Sequence, residues 1–165
     1  MAQTASTHHI RVLIVDDLAV VRSGLKIFIR AFDDLELVGE AANGEEAVVL
    51  CAKINPDVVL MDLDMPGTCS VAATRIIRYH CPQIQIVAMS SFHGERMLQN
   101  MLDNGAIGCL LKNISSDELA TTIRAAYAAP RLEREAVEPV FAPLPNVPCR
   151  GTTCPWGWRC RPLNG

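Results

Sequence analysis

No apolar stretch in this 165-residue chain approaches the roughly eighteen residues that a membrane helix needs. The first nine residues are polar and hold no apolar h-region, so no secretory signal is read there, and the expected compartment is the cytoplasm. A disulfide framework is lacking as well. The seven cysteines are an odd number, and Cys51, Cys69, Cys81 and Cys109 are scattered, which suits reduced thiols. Positive charge is scarce where a nucleic-acid surface would need it. Residues 1–130 carry 10 Lys and Arg against 15 Asp and Glu, a balance of −5, while residues 131–165 carry 5 against 3, or +2. That acidity argues against nucleic-acid binding by the main body. Proline is also sparse there, with seven of the ten prolines lying in residues 130–165. Their density leaves little room for a helical module. The chain therefore divides into a flexible N-terminus, 1–9, one folded domain, 10–129, and a poorly ordered tail, 130–165. His8-His9 reads as part of the frayed terminus rather than a ligand pair.

What is present is a regular alternation of strands and helices. The run Ile10–Val15 is continuous and β-branched, as in a central parallel strand buried on both faces. Leu18, Val21, Leu25, Phe28 and Ile29 follow at helical spacing. The strand Leu35–Ala41 leads to Asn43, which can cap a second helix with Glu46 in capping-box position. That helix would bury Ala47, Leu50, Cys51 and Ile54, and Asn55-Pro56 ends it. A strand over 58–61 precedes a helix carrying Ala73, Ile76 and Ile77, which Pro82 stops. A strand over 84–89 precedes a helix with Met97, Leu98, Met101 and Leu102, where the methionines are core, and Asn104-Gly105 closes it. A strand over 107–111 leads through the capping box Ser115…Glu118 into a last helix with Leu119, Thr122, Ile123 and Ala126 inward. Five βα units predict an α/β, three-layer, doubly wound sandwich.

Polar residues stand at four of the strand ends: Asp16 and Asp17, Asp62, Ser90 and Lys112. Ligands of a parallel sheet bind beyond the carboxyl ends of its strands, so these residues converge in one crevice. Any one of them has a bland reading as turn residue, helix cap or solvated charge. Four coincidences at four strand ends do not. Three carboxylates together repel one another and call for a cation, and hard oxygen ligands suit Mg²⁺. Asp62, ending the central strand, is placed to act as a nucleophile toward phosphorus. Lys112 and Ser90 are suited to phosphoryl oxygens.

These pieces carry a resemblance. Val15-Asp16-Asp17, Leu60-Met61-Asp62-Leu63-Asp64-Met65-Pro66-Gly67, Ala88-Met89-Ser90-Ser91 and Leu110-Leu111-Lys112 resemble the motifs of response-regulator receiver domains of the CheY-like superfamily. Val21-Arg22-Ser23-Gly24-Leu25 and Gly108-Cys109-Leu110-Leu111-Lys112-Asn113 resemble the NarL/FixJ (LuxR-type) branch. The resemblance covers residues 10–129 and implies a flavodoxin-like sheet of order 2-1-3-4-5. It implies a two-component, phosphorelay role in which Asp62 accepts a phosphoryl group from a histidine kinase or phosphotransfer protein. Asp16, Asp17, Asp62 and the backbone carbonyl of Asp64 would hold Mg²⁺. Ser90 and Lys112 would bind the phosphoryl group, and Asp64, Ser91, Phe92 and Cys109 would modulate its lifetime or the switch. A phosphorylation-dependent homodimer is a further expectation, and turnover catalysis is not.

The chain departs from that family in three places. Cys109 stands where an aromatic is usual, and Ser70 where glycine is usual. The third departure is the tail, which shows no helix-turn-helix pattern, so direct DNA binding is not expected. Its Cys149, Cys154 and Cys160 lack a fourth ligand and the spacing of a zinc finger or ribbon. A lost reading frame would account for its composition. Two competing readings differ in class. Asp62-Leu63-Asp64 also resembles the nucleophile motif of haloacid-dehalogenase-type phosphohydrolases, which leaves Asp16-Asp17 unexplained. A truncated DNA-binding transcriptional regulator is the other.

Overall fold

A computed structural model describes residues 8–65, 70–91 and 95–131. Five strands, β1 (Ile10–Val15), β2 (Leu35–Ala41), β3 (Val58–Asp62), β4 (Gln85–Ser90) and β5 (Gly108–Leu111), alternate with five helices. These are α1 (Ala19–Arg30), α2 (Gly44–Ile54), α3 (Ser70–His80), α4 (Glu95–Asp103) and α5 (Ser116–Ala128). The sheet is wholly parallel in the order β2-β1-β3-β4-β5, as the alternation and the resemblance imply.

Strand periodicity sorts the core into two halves. Val12, Ile14, Val58, Leu60, Val87 and Met89 face α1 and α5, meeting Leu25, Ile29, Leu119 and Ile123. Leu13, Val15, Val59, Met61, Ile86 and Ala88 face the other way, toward Ala47, Cys51, Ala73, Ile77 and Met101 of α2, α3 and α4. Each fully buried Val, Ile or Leu contributes roughly 1.5–3 kcal/mol relative to exposure. Burial also pushes the Cys51 thiol up to about 12, so it acts as a small core hydrophobe rather than a reactive group. Beside β1, the pairing register of β2 shifts between Val12 and Leu13. Gly39 lies there, where a Cβ would meet Leu13 Cδ1 at 3.0 Å.

Several expectations are corrected. Leu18 does not join the buried stripe of α1; it is the N-cap, 51% exposed, and its N–H donates to Asp16 Oδ1 at 2.9 Å. Asn43 does cap α2, but Glu46 accepts from Ala42 N–H rather than closing the box on Asn43. Asn55 ends α2 in the left-handed region, φ 50°. Val48 is buried in α2, whereas Leu50 only packs against the core from the side. β3 runs on through Asp62, β4 is shifted one residue later, and Ile107 precedes β5 with substantial exposure. Leu102 is likewise 38% exposed. Thr122 is half-buried, its hydroxyl donating to Glu118 O. The Ser115–Glu118 capping box forms as expected. Side chains of Met97 and Leu98, and the tail cysteines Cys149, Cys154 and Cys160, lie outside what is described. Among the described residues no helix is long and apolar enough to cross a membrane.

Candidate functional site

The strand ladders deliver the polar residues to one end of the sheet. Asp16 N–H still bonds to Ala41 O (3.1 Å), Leu63 N–H to Met89 O (2.8 Å) and Lys112 N–H to Ser90 O (2.9 Å). The ends of β1, β3, β4 and β5 are thus held in step. Asp16 and Asp62 are fully buried there, and Asp17 is the most open of the three carboxylates. One oxygen from each lies within 4.8 Å of the other two. At an effective dielectric near 20, each like-charge pair at that separation costs about 3 kcal/mol.

Lys112 offsets part of this repulsion. Its Nζ lies 2.8 Å from Asp16 Oδ2 and 2.8 Å from Asp62 Oδ1. Burial lowers the ammonium's pKa, but the bonds and charges of the two carboxylates outweigh it and leave Lys112 above the ordinary lysine value. Burial, in turn, is the main reason the Asp62 carboxyl sits above the usual range. Lys112 and the Asp64 N–H pull it back down, and the charge of Asp16 adds to the rise. Asp62 Oδ1 takes the Asp64 N–H at 2.9 Å as well as Lys112. Its other oxygen, Oδ2, is buried with no hydrogen-bond partner among the described residues. Asp16 Oδ2, by contrast, has the ionic contact to Lys112.

One ammonium among three clustered carboxylates leaves the group net negative, and a buried carboxylate oxygen with unused lone pairs is costly. Hard oxygen donors around such an orphan fit a divalent cation held together with a phosphoryl group. Asp16, Asp17, Asp62 and Lys112, all singled out from the sequence, are therefore brought together. Ser90 ends β4 nearby, its hydroxyl donating to Asp64 Oδ1 at 3.4 Å. Asp64 Oδ2 accepts from Ser91 N–H at 2.7 Å, a contact the motif reading did not contain. Cys109 is exposed on β5. Phe92 lies outside the described residues.

Two supporting roles were not expected from the sequence. Arg22, at its helical turn of α1, donates from Nη1 to Asp16 O at 2.7 Å. It steadies the β1–α1 loop from a distance of six residues. Ser70 was noted only as a departure from glycine. Its hydroxyl donates to Asp62 O at 2.6 Å, joining the first residue of α3 to the end of β3. A small hydroxyl at a helix start was the available signal.

A family model described as the response regulator receiver domain matches residues 12–124. The transcriptional regulatory protein LiaR of Bacillus subtilis (strain 168) is 38% identical over 136 residues, which is 82% of this chain and 64% of that protein. The response regulator protein VraR of Staphylococcus epidermidis is 36% identical over 118 residues, 72% of this chain and 56% of that protein. Among solved structures, the response regulator domain of Thermotoga maritima CheB is similar with a TM-score of 0.68 and 33% identity. That match covers 74% of this chain and 98% of the other. A LuxR-family two-component response regulator from Aurantimonas sp. SI85-9A1 has a TM-score of 0.70 and 32% identity, covering 74% of this chain and 88% of the other. The chain thus spans between half and two thirds of the length of these two curated relatives.

Proposed function

From the premise that this chain belongs to the response-regulator receiver family, which the match over residues 12–124 shows, we propose that it works as a two-component response regulator phosphorylated on Asp62. The observation that carries this reading is Asp62 Oδ2, a buried carboxylate oxygen at the end of the central strand with no hydrogen-bond partner among the described residues. A histidine kinase or phosphotransfer protein would present phosphohistidine. The Oδ2 lone pair would form the O–P bond as the P–N bond breaks, the electron pair leaving with the imidazole. Asp16, Asp17, Asp62 and the Asp64 backbone carbonyl would hold Mg²⁺, which when bound neutralises charge on the phosphoryl oxygens. Lys112 would pair with one of those oxygens and Ser90 would donate to another.

The output would follow from the Ser90 and Lys112 movements, read out on the face of α4, β5 and α5. Leu102 and Ile107 are exposed there, and a homodimer or a protein partner would cover them. Ser91, Phe92 and Cys109 would modulate lifetime and switching. LiaR is named a transcriptional regulatory protein, and control of transcription is the process we assign. The acidic body, residues 10–129, would not itself read DNA, and a salt-sensitive gel shift by this chain would contradict that. The domain division is 10–129 for the receiver and 130–165 for the tail, and the setting is cytoplasmic.

The test is exposure to acetyl phosphate with Mg²⁺, read by intact mass. One acid-labile phosphoryl group per chain is expected, with no steady turnover. Multiple turnover of a phosphate monoester such as p-nitrophenyl phosphate would favour the phosphohydrolase reading instead.

A further inference from the structure

Asp64 lies outside the acidic cluster and is engaged elsewhere. Its Oδ2 accepts from the Ser91 backbone N–H at 2.7 Å, and Ser90 Oγ donates to its Oδ1 at 3.4 Å. The residues are 27 and 26 apart in sequence, so one carboxylate joins the loop after β3 to the loop after β4. The bond to Ser91 is short and charge-assisted, hence the stronger of the two. The contact to Ser90 is long and weaker.

A hydroxyl has a single proton to donate. In this structure the Ser90 hydroxyl lies within hydrogen-bond reach of Asp64 Oδ1 at 3.4 Å, whereas a phosphoryl group on Asp62 requires its proton elsewhere. The two uses exclude each other, so the unmodified and phosphorylated forms differ in what Asp64 holds. We propose that Asp64 is a positioning residue: a latch that retains Ser90 and Ser91 in the resting arrangement and must open when Asp62 is phosphorylated. The latch rests on the phosphoacceptor reading of Asp62, and goes beyond it because it acts before any phosphoryl group arrives. A contact made in one state only biases the equilibrium by its own strength. Removing it raises the population of the responsive form in the unmodified protein.

The experiment uses the whole chain, ¹⁵N-labelled, as wild type, Asp64→Ala and Asp64→Asn, titrated with beryllofluoride in Mg²⁺. Beryllofluoride is not hydrolysed, so effects on phosphoryl lifetime do not enter. In the anion-free state, the Ser90 and Ser91 amide peaks of Asp64→Ala should lie on the line from free toward bound wild type. Beryllofluoride should bind that variant about three- to tenfold more tightly, the scale of one solvent-exposed charged hydrogen bond. Asp64→Asn keeps an acceptor for the Ser91 N–H and should fall between the other two. If removal of a negative charge near the anion were the whole effect, Asn and Ala would behave alike and the anion-free peaks would not move toward the bound positions. That result overturns the latch. A wild type that responds to beryllofluoride beside variants that do not differ from it overturns the latch alone. A wild type that fails to respond overturns the phosphoacceptor reading, and the latch with it.

Discussion

Both ends of this sheet bury charge, and they treat it in opposite ways. At the amino-terminal end, Arg78 of α3 is 4% exposed and faces neutral oxygen acceptors. Its Nε donates to Gly105 O, Nη1 to Pro82 O and Ile84 O, and Nη2 to Gln85 Oε1. Gln85 passes the network on through Nε2 to Ala129 O, at the exit of α5. Burial lowers the Arg78 pKa, but guanidinium stays charged in proteins. Nearby, Asp57 takes the Arg11 N–H and Asp34 forms a two-pronged pair with Arg124. At the carboxyl-terminal end, three carboxylates cluster, one ammonium bridges two of them, Asp16 and Asp62, and an oxygen of Asp62 has no hydrogen-bond partner among the described residues. The first end spends its charge on holding elements together. The second keeps charge unspent, and that difference locates the chemistry.

The comparison can be broken most severely at Arg78. Arg78→Met deletes the donors and leaves several buried carbonyls and Gln85 unsatisfied, so the folded state should lose about 3 kcal/mol or more. Urea unfolding measures it; a loss under about 1 kcal/mol would mean the network is not tight. Gly105→Ala strikes the same network more gently. Gly105 has φ +108°, and a Cβ would stand 2.6 Å from Arg78 Cγ, in the middle of a buried stem. Backbone strain and that contact should together cost about 2 kcal/mol, again by urea unfolding.

The opposite end should answer to metal rather than to truncation. Mg²⁺ at ten times its dissociation constant should stabilise the wild type by about 1.4 kcal/mol, a rise of about 4 °C in the unfolding midpoint. Asp62→Asn should lose most of that rise, while Arg124→Ala at the other end should keep it. Calorimetry with and without Mg²⁺ gives both numbers. The smallest effect belongs to the exposed pair. Arg124 bonding holds the Asp34 carboxyl below its ordinary value. A depressed carboxylate pKa stabilises the fold above the unfolded pKa, near 4. That contribution disappears as pH falls through the lower folded value. Because the pair is solvent-screened, Arg124→Ala should cost little at pH 7, and the part due to the ion pair should vanish near pH 2, leaving only the contact of the guanidinium with the Phe32 ring. A difference between wild type and variant that persists undiminished at pH 2 would exclude the ion pair as its source.

How much of this was legible in the chain differs between the two ends. β1 keeps the limits its apolar run suggests, because a strand buried on both faces announces itself by continuous β-branched composition, and β2 keeps its expected limits although its run is mixed and half-buried. Asp16, Asp17, Asp62 and Lys112 were legible because each stands where a strand stops, and parallel topology brings strand ends together. Ile107 looked like strand but precedes it, since composition does not record which residue begins the ladder. Arg78 was invisible. An arginine in the last turn of a helix reads as a solvated partner of the helix carbonyls, whereas its acceptors are Pro82 O, Ile84 O and Gln85 Oε1 in the segment that follows the helix and Gly105 O, 27 residues away. The Asp64 contact to Ser91 was hidden for the same reason, being a bond from a side chain to a backbone group 27 residues away.

The account turns on one atom, Asp62 Oδ2, and one measurement addresses it directly. After acetyl phosphate and Mg²⁺, borohydride reduces an aspartyl phosphate to homoserine, and peptide mass mapping then names the residue. The account predicts homoserine at position 62 and at no other aspartate, with none in Asp62→Asn. Homoserine at Asp16, Asp17 or Asp64 in the wild type, or undiminished labelling of Asp62→Asn, would contradict it.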